Sequence, residues 1–210
     1  MVTIKKLKMK LILLLFLLTT TSIFAQEKKT ILIFGDSITA GYGVEPSQAF
    51  PALIQNRIDS LGLDYEVING GLSGETSAGG LRRINWVLQR KVDIMILELG
   101  GNDGLRGIDL SSTKENLQEI VDKALAKYSD MEIIVAGMQV PPNLGVEYSK
   151  EFRELYPTLA KENDLALIPF ILEKVGGIRE LNQPDQIHPN VAGHKLVAET
   201  VWEALKPMLK

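Results

Sequence analysis

The sequence predicts an α/β fold, a three-layer α/β/α sandwich built on a parallel sheet. Two observations predict it. Short runs rich in β-formers alternate strictly with longer runs of helical spacing, and the short runs read as apolar on both faces, as strands buried in a parallel sheet do. Strand, helix and next parallel strand join through a right-handed crossover, so the alternation places helices on both sides of one sheet.

The first 25 of the 210 residues stand apart from that pattern. Lys5, Lys6, Lys8 and Lys10 precede an unbroken apolar run from Leu11 to Leu18, and small polar residues lead to Ala25. This order predicts a secretory signal peptide over 1–25, cleaved before Gln26. The apolar run is too short for a comfortable membrane span. A retained anchor is the alternative, because Ile23 is larger than the residue usual two places before a cleavage site.

Strands are expected at 30–34 (TILIF), 65–68 (YEVI), 93–99 (DIMILEL), 132–136 (EIIVA) and 166–168 (ALI). Helices are expected at 49–61, 78–90, 113–128, 148–163 and 191–205. In the third of these, Leu117, Ile120, Val121, Ala124 and Leu125 recur at three and four residues and form one apolar stripe. Pro189 suits the first turn of the last helix. Trp86 and Trp202 read as core or partly buried packing, and His194 as an exposed helical residue.

The chain holds 23 basic and 26 acidic side chains. Loss of the four leader lysines leaves 19 against 26, a formal net charge of −7. Such a chain, without a basic stripe, is a poor partner for nucleic acid or an anionic membrane surface. With no cysteine it has neither a disulfide framework nor a thiolate metal site, and no lipidated cysteine can anchor it. No linker, repeat or charge block divides the remainder, so 26–210 reads as one domain. Oligomeric state is not legible.

In open α/β sheets the ligand crevice lies beyond the carboxyl ends of the strands. The first strand ends in Gly35-Asp36-Ser37, the second in NGGLSGET (69–76), the third in ELGGNDG (98–104), and DQIHPN (185–190) follows the fifth. Taken singly, each is an ordinary turn, cap or glycine-rich loop. Together they bring a hydroxyl, an imidazole, a carboxylate three residues from that imidazole, and amide donors to one edge of one sheet. Acyl transfer needs that set: Ser37 becomes nucleophilic when His188 takes its proton, and Asp185 fixes the tautomer of His188. Ser37 N–H, a glycine N–H of the second loop and the Asn102 side chain supply oxyanion donors, each typically worth about 2.7–4 kcal/mol.

These four blocks resemble those of the SGNH/GDSL hydrolase family. Ser37 in FGDSITAGYG matches its nucleophile, Gly74 in LSGET its oxyanion glycine, Asn102 in GGND its asparagine donor, and Asp185 and His188 in DQIHPN its acid and base. The wording of LELGGNDGLRG, YPTLAKEND and IHPN is most similar to the periplasmic thioesterase/lysophospholipase/arylesterase group. The resemblance implies a flavodoxin-like five-stranded sheet of order 2-1-3-4-5, hydrolysis of esters and thioesters of fatty acids, and neither metal nor cofactor. It implies small-molecule or lipid ester substrates, a mobile turn at 104–108 with Leu105 and Arg106 facing substrate, and an acyl groove beside Pro141. Here MQVPPNLG (138–145) departs from the group, since two prolines stiffen that loop.

Other candidates are weaker. Ser73 in GLSGE lacks the second glycine spacing of a nucleophile elbow, Gly41-Tyr42-Gly43 is a lone G-x-G, and two histidines without cysteine make a poor zinc site. Asp36 and Asp103 read as loop organisers. A carbohydrate acetyl esterase with the same machinery, and a non-catalytic flavodoxin-like binding module, remain as alternative functions.

Overall fold

A computed structural model describes residues 28–210. The expected leader, 1–25, lies outside the described residues. Five strands, β1 (Lys29–Gly35), β2 (Tyr65–Asn69), β3 (Ile94–Glu98), β4 (Glu132–Ala136) and β5 (Ala166–Ile168), form one parallel sheet of order β2-β1-β3-β4-β5. Seven helices accompany them among the described residues: α1 (Ser37–Ala40), α2 (Phe50–Ser60), α3 (Ser77–Val87), α4 (Gly101–Leu105), α5 (Leu110–Lys127), α6 (Val146–Glu162) and α7 (Val191–Leu205). Helices α3, α5 and α6 pack side by side on one face, and α2 packs on α7 on the other. None of the described helices is long and apolar enough to cross a membrane.

The apolar runs of β1, β3 and β4 are buried almost throughout and carry the centre of the core. The edge strands differ from the expectation of two buried faces: Glu66 and Asn69 of β2 are exposed, and Ala166 and Leu167 of β5 are only half-buried. An edge has one strand neighbour and thinner helical cover, so solvent reaches it.

One helix start moves where a cap was not recognised. Helix α5 begins at Leu110 rather than near 113, because the Asp109 carboxylate accepts the N–H of Ser112 at 3.0 Å. Helix α7 begins at Val191 as expected, capped by Asn190, whose side-chain oxygen accepts the N–H groups of Ala192 and Gly193. Pro189 therefore sits outside the helix, in a bridge with Asn182.

Two side chains are placed against expectation. His194 is only 1% exposed, and its Nδ1 accepts the Phe50 N–H at 3.3 Å, tying α7 to the first turn of α2. Burial, with a contribution from the charge of His188, pushes its pKa down to about 4, so it serves as a neutral acceptor. Trp86 is 69% exposed on the outer face of α3, whereas Trp202 is buried beneath Arg57.

Candidate active site

The site grows from the register of β1 on β3. Gly35 ends β1 opposite Glu98. A Cβ there would fall 2.2 Å from Thr39 Oγ1 and 2.3 Å from Glu98 Oε2, so only glycine lets the chain turn into α1. Asp36 caps that four-residue helix, its Oδ1 accepting the Ile38 N–H at 3.0 Å, and Ser37 is the first helical residue. Its hydroxyl is thereby raised over the carboxyl end of the sheet.

Histidine arrives from the other side. Between the Asn182–Pro189 bridge and the Asn190 cap, Gln183 donates its N–H to His188 O at 2.8 Å and its Nε2–H to Tyr42 O. Asp185 Oδ1 accepts the N–H groups of Ile187 (2.9 Å) and His188 (3.0 Å), closing the loop on itself. His188 Nδ1 then lies 2.7 Å from Asp185 Oδ2 and its Nε2 3.0 Å from Ser37 Oγ. With Nδ1–H donated to the carboxylate, Nε2 is free to accept the serine proton. The Tyr42 ring packs against the imidazole at 4.6 Å. Partial burial of Asp185 would raise its pKa, but the two backbone N–H groups and the imidazole outweigh it and hold the carboxyl at about 2.

Gly74 is held at φ +80°, a left-handed backbone that favours glycine. Neither its N–H nor that of Ser37 donates to a partner among the described residues. The neighbouring Gly70 and Gly71 serve close packing: a Cβ on Gly71 would lie 2.2 Å from Ala40 N of α1 and one on Gly70 2.9 Å from Ile33 O of β1, so these glycines let the β2 loop press against both.

Asn102 sits on α4, where the GGND segment forms a short helix rather than a plain turn. Its Nδ2 donates to Asp36 Oδ2 and to Glu75 O, both at 3.0 Å. Both amide hydrogens thus face protein acceptors, and donation to a bound oxyanion requires sharing one of them. Arg106 donates Nη2–H to Gly74 O at 3.0 Å and approaches Asn102 Oδ1 at 3.4 Å.

A cleft of about 480 Å³ opens from Ser37, Asn102 and His188. Leu105, Met138, Val140, Pro141, Phe170 and Ile187 give it a largely apolar wall.

Beneath the hydroxyl lie two carboxyls that the sequence reading passed over or demoted. Glu98 Oε2 accepts the Asp36 N–H (3.2 Å) and the Thr39 hydroxyl (2.7 Å), while Oε1 is buried without a partner among the described residues. Burial, then the charge of Asp36, pushes the Glu98 pKa well up. Burial also raises Asp36, to about 6, against the lowering effect of the Ile38 N–H and the Asn102 amide. Both shifts have burial as their main cause, and of the two carboxyls Glu98 is the one with an oxygen left without a partner among the described residues. A lone acid inside the apolar run MILEL is the signal that could have identified Glu98. Asp103 is buried as well and joins helices, accepting Ser77 N–H (2.8 Å), Ser77 Oγ–H (2.5 Å) and the Thr113 hydroxyl (3.4 Å).

Residues 33–196 match the profile of the GDSL-like lipase/acylhydrolase family. The chain belongs to this family. The GDSL-like match spans all five residues just described: Ser37, Gly74, Asn102, Asp185 and His188. The chain is similar to Esterase TesA of Pseudomonas aeruginosa, 42% identical over 182 residues that cover 86% of this chain and 90% of that protein. It is also similar to Thioesterase 1/protease 1/lysophospholipase L1 of Escherichia coli K12, 37% identical over 186 residues, 88% of this chain and 87% of that one. The crystal structure of TesA superposes with a TM-score of 0.82 at 42% identity, covering 86% of this chain and all of that one. As a GDSL-like acylhydrolase, this chain is a serine ester hydrolase.

Proposed function

We propose that the protein is an exported esterase and thioesterase that cleaves fatty acyl esters, including aryl esters and lysophospholipids, through an acyl-enzyme on Ser37. The observation that carries this reading is the unbroken line Ser37 Oγ–His188 Nε2–Asp185, with contacts of 3.0 and 2.7 Å. Ser37 Oγ attacks the acyl carbonyl as its proton passes to His188 Nε2, and Asp185 holds the imidazolium. The carbonyl oxygen gains the negative charge beside the N–H groups of Ser37 and Gly74 and the Asn102 amide. Collapse of the tetrahedral adduct breaks the ester or thioester bond, and the leaving oxygen or sulfur takes the proton from His188. Water, deprotonated by His188, then attacks the acyl-Ser37 ester, and the released serine oxygen recovers the proton. Each step is carried by these side chains and water.

The cleft supports an alkyl acyl chain rather than the acetyl group of a sugar, since Leu105, Met138, Val140, Pro141, Phe170 and Ile187 offer apolar contact well beyond what an acetyl group fills. The names of the two relatives, an esterase and a thioesterase/lysophospholipase, agree with that choice. The leader at 1–25 directs export, and 26–210 is the single mature domain. Ser37→Ala abolishes hydrolysis of a short p-nitrophenyl ester while leaving the circular dichroism spectrum unchanged; a folded variant that retains activity contradicts the assignment. Comparison of acetyl, octanoyl and palmitoyl esters, a lysophospholipid and an acetylated sugar then ranks the substrates.

A further inference from the structure

We propose that Arg83, through its ion pair with Glu75, is a positioning residue that sets the geometry of the oxyanion donors Gly74 and Asn102. This rests on the reading of Ser37 as nucleophile given above.

Arg83 lies on α3, away from the reacting atoms, yet one guanidinium reaches two strand-end segments, the end of β1 and both ends of the loop after β2. Its Nε contacts Glu75 Oε1 and Oε2 at 2.7 and 2.8 Å, and its Nη2 also donates to Glu75 Oε2. The same Nη2 donates to Gly70 O at 2.6 Å, where β2 ends, and lies 3.4 Å from Gly35 O, where β1 ends. The guanidinium is centred 4.3 Å from the Phe34 ring, which fixes its plane. Both partners are largely shielded, with the Glu75 side chain 3% and that of Arg83 20% exposed.

Glu75 is the link to the chemistry. Its backbone follows directly on Gly74, so holding its side chain holds the carboxyl side of the left-handed glycine. Its carbonyl oxygen accepts one hydrogen of the Asn102 amide at 3.0 Å. Its N–H donates to Leu72 O, and a Cβ on Gly79 would meet Glu75 Cγ at 2.9 Å, so the segment is packed on both sides. Arg106 holds the Gly74 carbonyl from outside, while Arg83 holds the side chain of the next residue, Glu75, from within. A lysine does not reproduce this role, because its compact ammonium lacks the planar fork that meets both Glu75 oxygens while reaching Gly70 O.

The test uses Arg83→Gln, Arg83→Lys and Glu75→Gln in the mature protein, assayed on p-nitrophenyl octanoate. An alkyl trifluoromethyl ketone reports binding of the tetrahedral adduct, and decanoate reports binding of the acyl chain. Loss of one oxyanion donor costs about 10²–10³ in kcat, and misplacement by 1 Å about 10². The expected result is a kcat lower by about 10- to 100-fold, with KM and decanoate inhibition unchanged and the ketone inhibition constant raised by the same factor as kcat falls. Folded variants with wild-type kcat overturn the proposal. So does a fall in kcat that leaves ketone binding intact, or one in which decanoate binding weakens equally. Failure of all three variants to fold also overturns it, because the pair is then a determinant of the fold. Ser37→Ala is measured alongside: activity retained there defeats the reading of the nucleophile, whereas an inactive Ser37→Ala beside a fully active Arg83→Gln defeats only the positioning role.

Discussion

Asp185 and Asp36 are two carboxylates near one imidazole with opposite environments. Asp185 sits on a partly exposed loop and is held at about 2 by three N–H groups, so it remains ionised and able to orient His188 through the working range. Asp185→Asn keeps the shape but presents a donor to Nδ1–H, and kcat is expected to fall about 10³- to 10⁴-fold, measured on the same p-nitrophenyl ester. Asp36 is buried and shifted up from 3.8 to about 6. The folded chain then binds that proton more tightly than the unfolded one, so the contribution to stability is fully present below pH 4 and is lost as pH rises to 6. A shift of that size is on the order of 3 kcal/mol. Urea denaturation of Asp36→Asn at several pH values between 4 and 7 is expected to lack this loss, and an unchanged pH slope contradicts the assignment. That Ser37, Asp185 and His188 would meet was legible, because all three lie in segments that follow strands of one sheet. Arg83 was not, because an arginine in an amphipathic helix reads as solvated until the fold turns it inward.

Local hydrogen bonding decides how well the elements position those residues. Asn190 is the clearest case: its oxygen caps α7, and its Nδ2 donates to Glu180 O and Asn182 O, so one side chain anchors both the helix and the loop that presents His188. Asn190→Ala is expected to cost about 1–2 kcal/mol in thermal or urea unfolding and to lower kcat as well, since the loop loses its anchor. Gly71→Ala is a sharper test of packing, because the added methyl would meet the Ala40 backbone, which cannot move without shifting α1. It is expected to reduce stability and activity together. The bounds of β4, β5 and α7 coincide with those expected from apolar period alone. Helices α1 and α4 escaped, since four or five residues complete barely more than one turn and show no period, and their glycines and acids read as turn chemistry. The capped start of α5 at Asp109 was missed for a related reason: the apolar stripe begins later than the hydrogen-bonded helix.

At the scale of the whole molecule, the sheet order explains why residues far apart in sequence meet. The chain runs outward from β1 to β2, returns past it to β3, and continues to β5. The loops after β1, β2, β3 and β5 therefore converge at one edge, and the turn after β4 supplies Met138, Val140 and Pro141 to the cleft wall. The alternation of strand and helix made this convergence readable, whereas cleft shape was not, since it depends on how side chains from separate loops pack. The most direct measurement is covalent labelling of the mature protein with a fluorophosphonate probe, followed by peptide mapping. The expected result is one adduct per chain, on Ser37, absent from Ser37→Ala; an adduct on Ser73, or none on active wild-type protein, contradicts the assignment of the nucleophile.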